Sequence, residues 1–79
     1  MARPHKQMPG RTYHIEYNGS TALVECTYLC PYCNQDTSSR FTANEEAFEI
    51  LERGGFFEPL HCDMCDKVTD VRFWSNNKI

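Results

Sequence analysis

Five cysteines stand in a chain of 79 residues, and four of them form two Cys-x-x-Cys pairs, Cys30/Cys33 and Cys62/Cys65, with 28 residues between the pairs. Each pair delivers two thiolates from one short turn. Four thiolates at tetrahedral corners, about 2.3 Å from the metal, are the ligand set of a structural zinc ion. The residues that follow the pairs, Asn34 and Asp66, are among the non-glycine types that best tolerate the positive φ such a turn needs at its exit. One structural Zn2+ on Cys30, Cys33, Cys62 and Cys65 is therefore the expected cofactor, with iron in a four-thiolate electron-transfer site the weaker alternative that the same ligands allow. Cys26 shares the apolar face of a strand with Val24 and Tyr28, and reads as a small buried thiol. His61 is adjacent to Cys62, and neighbours in sequence rarely reach one metal well. It reads as a companion of the site rather than a ligand.

A zinc held by four cysteines has no open coordination position for water or substrate. Most carboxylates lie on what reads as an exposed helix face, so no catalytic residue and no small-molecule substrate is expected, and the chain is not expected to be an enzyme. Its apolar runs are a few residues long, against roughly 20 for a membrane span, and no apolar stretch follows the N-terminal basic residues. The reading is a cytoplasmic protein with no membrane partner. In a reducing compartment, paired cysteines serve as metal ligands or catalytic thiols more often than as disulfides. A chain this short buries little apolar surface, and a metal would compensate.

Charge is unevenly spread. Residues 1–11 hold Arg3, Lys6 and Arg11 and no acid, whereas the remainder carries all eleven carboxylates against five Lys and Arg, a formal −6. The body should repel nucleic-acid phosphate, and only the N-terminal segment is suited to attract it.

These residues need elements to position them. Residues 1–11, with Pro4, Pro9 and Gly10, read as a flexible basic arm. Residues 12–74 read as a single domain, and 75–79 as a frayed tail. Thr12–Tyr17 and Ala22–Leu29 alternate in period two around Asn18-Gly19, which predicts a hairpin leading into the first Cys pair. Ala43–Arg53 reads as the helix. Thr42 and Glu45 form a capping box before it, Gly54 follows it, and Ala43, Ala47, Phe48, Ile50 and Leu51 share its apolar side. Phe56–His61 reads as an edge strand because of Pro59, and Val68–Trp74 as another strand.

The segments Cys30-Pro31-Tyr32-Cys33-Asn34 and Cys62-Asp63-Met64-Cys65-Asp66, each beside a strand, resemble the zinc knuckles of the zinc-ribbon fold group. That resemblance implies a small zinc-stabilised α+β fold: an antiparallel sheet of about four to five short strands, with one helix (about 43–53) inserted between the knuckles. Zinc ribbons serve many machines, so the resemblance speaks to fold and metal. Cys30-Pro31-Tyr32-Cys33 is also identical to the active-site tetrapeptide of glutaredoxins, which would imply a thiol oxidoreductase using Cys30 and Cys33. That family starts a helix at its motif, whereas Asn34 to Arg40 is a poor helix start.

Two function classes follow. The first is a non-enzymatic zinc-binding module that acts as a protein-binding adaptor or regulator of transcription or another nucleic-acid machine; the net acidity favours it. The second is direct nucleic-acid binding, with Arg3, Lys6 and Arg11 on phosphate and Tyr32, Tyr13, Tyr17 or Trp74 stacking on bases. Three basic side chains supply only a small counterion-release term, which ranks this class second.

Overall fold

The computed structural model describes residues 6–79. Five strands form one sheet in the order β3-β2-β1-β5-β4, from β1 (Gln7–Asn18), β2 (Thr21–Leu29), β3 (Asp36–Asn44), β4 (Phe56–His61) and β5 (Val68–Phe73). A 3-10 turn at Glu45–Ala47 leads into α1 (Phe48–Arg53), and a second 3-10 turn, Ser75–Asn77, follows β5. The sheet is mixed rather than antiparallel throughout. β1 runs antiparallel to β2 along Gly10–Asn18 and parallel to β5 along Gln7–Pro9.

Residues 7–11, read from sequence as part of an arm, are thus the first half of a strand; Arg3 lies outside the described residues. A proline and a glycine mask a strand here because neither rule that disfavours them applies. Pro9 precedes the pairing with β2, which begins at Gly10, so this stretch of β1 has a ladder partner on one side only. Gly10 sits where a side chain has no room: an added Cβ would lie 2.1 Å from a ring carbon of the buried Phe73. A bulge between Gly10 and Thr12 breaks the ladder, and the Thr27 hydroxyl accepts the Thr12 N–H (3.2 Å). A side chain therefore satisfies a backbone donor that the bulge frees.

The expected hairpin is present with a shifted turn. Asn18 still pairs with Thr21, so the loop is Gly19-Ser20, and positive φ falls on Gly19 (+64°) alone of the two. Tyr13, Ile15, Val24, Cys26 and Tyr28 point into the core as their alternation predicts, while Tyr17 is 46% exposed. Tyr17 instead packs its ring edgewise on Phe48 at 4.9 Å and donates its hydroxyl to Glu52.

The larger correction concerns residues 36–53. Nine of the residues after the first Cys pair form β3, which pairs with β2 without a break from Leu29↔Asp36 to Thr21↔Asn44. The expected helix of residues 43–53 shrinks to Phe48–Arg53, and Asn44, not Thr42, caps the preceding turn by accepting the Glu46 N–H (3.2 Å). Sequence alternation explains the outcome. Thr37, Ser39, Phe41 and Ala43 are half-buried and the residues between them exposed, so Ala43 belongs to a strand face as well as to a helical period.

Below the sheet lies one core. At one end Tyr13 meets Phe56 and Phe73 edge-on, with centroids 5.2 and 5.4 Å apart, and donates its hydroxyl to the Leu51 carbonyl (2.7 Å), which ties α1 to the sheet. At the other end Tyr28, Leu60, Cys30 and Cys62 are fully enclosed. Residues 75–79, read from sequence as a frayed tail, make polar contacts with the body. The Asn77 side chain donates to the Arg11 carbonyl (3.0 Å), the Ile79 N–H to the Tyr13 carbonyl (2.9 Å), and Lys78 pairs with Glu52.

Candidate metal centre

Each Cys pair closes a β-hairpin, the first between β2 and β3, the second between β4 and β5. The two turns have the same backbone chemistry. The Cys30 N–H donates to the Gln35 carbonyl (3.0 Å) and the Asn34 N–H returns to the Cys30 carbonyl (2.9 Å). In the second turn the Cys62 N–H donates to the Lys67 carbonyl (2.9 Å) and the Asp66 N–H returns to the Cys62 carbonyl (2.8 Å). Asn34 (φ +57°) and Asp66 (φ +63°) occupy the left-handed region, as their types and positions predict. They are the two non-glycine residues to do so among those described.

The turns converge. The Sγ atoms of Cys30, Cys33, Cys62 and Cys65 all lie within 4.8 Å of one another, with 3.5 Å between Cys30 and Cys65 and 3.9 Å between Cys33 and Cys62. Four sulfurs around a tetrahedral ion with 2.3 Å bonds would stand about 3.8 Å apart. The cluster therefore has the size and donor set of a metal site, and its four cysteines can hold one ion.

Protonation within the cluster is divided. Burial pushes the Cys30 and Cys62 thiols up, but two backbone N–H groups aimed at each sulfur, from Tyr32 and Cys33 and from Met64 and Cys65, together with neighbouring sulfurs outweigh it. Cys30 is held below the ordinary thiol value and Cys62 falls to about 6. Cys33 and Cys65 are pushed up, Cys65 to about 12, by burial first and then by neighbouring sulfurs, against one N–H each from Gln35 and Lys67. Four thiolates in so small a space repel one another, and a shared cation removes that conflict.

The two spare candidates stand apart from the cluster. Cys26 is buried in the core. His61 turns its imidazole to Asp66 (2.5 Å) and Asp63 (3.5 Å), which raises its pKa, with the Asp66 contact first, and braces the second knuckle from outside.

The residues expected to contact nucleic acid are scattered. Lys6 and Tyr32 meet beside the first knuckle: the Lys6 ammonium lies 4.9 Å from the Tyr32 ring centre, and its backbone N–H donates to the Tyr32 hydroxyl (3.2 Å). Arg11 pairs with Asp36 (3.3 Å) at the start of β3. Tyr13, fully buried, has no face free to stack on a base. Trp74 belongs to a cluster that sequence reading missed. Arg72 lies between the Phe57 and Trp74 rings, 4.7 and 4.3 Å from their centres, and both rings are nearly half exposed. The signal was available, because strand parity places Phe57 and Arg72 on the outer faces of neighbouring strands, and the two residues pair across the ladder.

Comparison with protein families, with curated proteins and with solved structures finds no match. The metal-site reading rests on the four cysteines themselves. Among the described residues, no helix is long and apolar enough to cross a membrane.

Proposed function

We propose that this chain is a non-catalytic binding module built around one structural zinc ion, and that it acts as a protein-binding adaptor or regulator of transcription or another nucleic-acid machine. The observation that carries the metal is the convergence of four sulfurs from two equivalent turns at tetrahedral spacing. Zinc suits an all-thiolate tetrahedral set with N–H groups aimed at the sulfurs, and four protein ligands leave no position for substrate. Strand β3, rather than a helix, follows Cys33, so the helix N-terminus that activates a glutaredoxin cysteine has no counterpart. The Phe57–Arg72–Trp74 cluster supports a protein partner, since exposed aromatic and arginine side chains are the residue types that concentrate binding energy at interfaces.

Cobalt substitution tests the metal. A tetrathiolate site predicts one cobalt with intense visible absorption and sulfur-to-metal charge transfer, both lost in Cys30→Ser or Cys62→Ser. A site that binds no cobalt would overturn the reading. For the adaptor role, capture from nuclease-treated extract should retain a discrete protein, and loss of every partner after nuclease would contradict it.

The Lys6–Tyr32 contact favours direct nucleic-acid binding as the second reading. Because residues 7–11 are part of β1, the informative variants are Lys6→Glu and Tyr32→Ala rather than a deletion. Either should weaken oligonucleotide binding several-fold, and unchanged binding in both would remove this reading.

A further inference from the structure

The outer strands of the sheet treat their free edges differently. β4 is guarded twice: Pro59 has no N–H to offer, and Glu58 points a charge inward, both familiar devices against unwanted strand addition. β3 has neither. Its nine residues contain no Pro, Gly or Lys, its register against β2 is unbroken, and among the described residues it pairs with β2 alone.

The two edges face each other across a groove of about 520 Å³ that runs from Phe41–Asn44 of β3 to Phe56–Glu58 of β4. Its lining includes Phe41, Ala43, Ala47, Ile50 and Phe56, and carries no positive charge. Glu58 has the parity of Phe56 and Leu60, so its carboxylate projects to the groove side of β4, half-buried. Among the described residues it has neither a hydrogen bond nor an ion-pair partner, and burial pushes its pKa up. An inward-pointing acid on an apolar wall is costly unless a cation joins it. At the far end of β3, Glu45 and Glu46 add two exposed carboxylates.

We infer that this groove is a docking channel for an extended basic and apolar peptide segment of a partner protein, which adds as a strand to the free edge of β3, places a Lys or Arg against Glu58 and seats apolar side chains on Phe41, Ile50 and Phe56. Edge addition draws affinity from the main chain and specificity from alternate side chains, and the groove supplies both halves. The inference rests on the adaptor reading and gives it a surface and a partner chemistry.

The test uses zinc-loaded, isotope-labelled protein and a terminally blocked peptide of four Lys-Val repeats. The expected result is saturable amide shifts confined to residues 36–44 and 56–58, with affinity reduced at least tenfold in Glu58→Gln. Binding should also be lost when alternate peptide nitrogens are methylated or when Glu replaces Lys. Glu58→Gln removes a desolvated acid and should fold, which its zinc content and amide dispersion verify. No binding, shifts elsewhere, equal affinity for Glu58→Gln, or a β3-paired dimer of the protein itself would each overturn the inference. A partner from extract that Glu58→Gln still retains, and that the Lys-Val peptide does not displace, would overturn the groove while leaving the adaptor reading in place.

Discussion

At the residue scale, the five cysteines divide by surroundings. Four share a small volume, and Cys26 is buried in the core on β2, away from them. Cys26→Ser should therefore keep full metal stoichiometry while losing about 1–3 kcal/mol of stability, because it buries a hydroxyl where a thiol was; metal analysis and chemical denaturation check the two halves. The Cys26 thiol is pushed up to about 12, by burial first and then by the Glu58 carboxylate, from an unfolded value of 9.0. A raised folded pKa means that this contribution is intact below about pH 9 and is lost as pH climbs toward 12. The denaturation midpoint should fall across that window, and fall less in Cys26→Ala. Native-state alkylation at neutral pH should spare Cys26. The ligand set was legible in the sequence because Cys-x-x-Cys spacing is local and the left-handed residues Asn34 and Asp66 lie inside the same turns. Glu58 was not legible: its role depends on which neighbouring strands leave its face open, which no local pattern records.

At the element scale, each knuckle is the turn of a hairpin, and this equivalence explains the main thing that sequence reading missed. The sequence pattern predicts strands on both sides of Cys62/Cys65 but on only one side of Cys30/Cys33. Asp36 to Arg40 is polar, with only weak alternation, and its inner residues Thr37 and Ser39 are half-buried without being hydrophobic. Its strand character comes from pairing with β2 rather than from its own composition. β1 hid its first half for a related reason, since Gly10 is selected by the Phe73 ring above it. Gly10→Ala should cost about 1–3 kcal/mol by overpacking against that ring, with metal content unchanged, as measured by thermal unfolding. Tyr13→Phe removes the donor to the Leu51 carbonyl and should cost about 1 kcal/mol, with increased amide exchange confined to α1.

At the scale of the whole molecule, two knuckle hairpins, β2-β3 and β4-β5, lie on either side of β1. They are joined through β1, which pairs with β2 and β5, and through the four sulfurs. The helix, the aromatic cluster of Tyr13, Phe56 and Phe73, and the C-terminal segment close the end remote from the cysteines. Removing residues 75–79 should cost about 1–3 kcal/mol through the lost contacts to Arg11, Tyr13 and Glu52, without changing metal stoichiometry. The proposed docking surface is the groove between β3 and β4. The most direct test of the central claim is a titration of zinc into reduced, metal-free protein followed by amide NMR. One equivalent should convert a collapsed or unfolded spectrum into a dispersed one, with the changes saturating at that point, since metal binding in such a domain is folding free energy. A fully dispersed spectrum before any metal is added, or no response to zinc, would contradict the account.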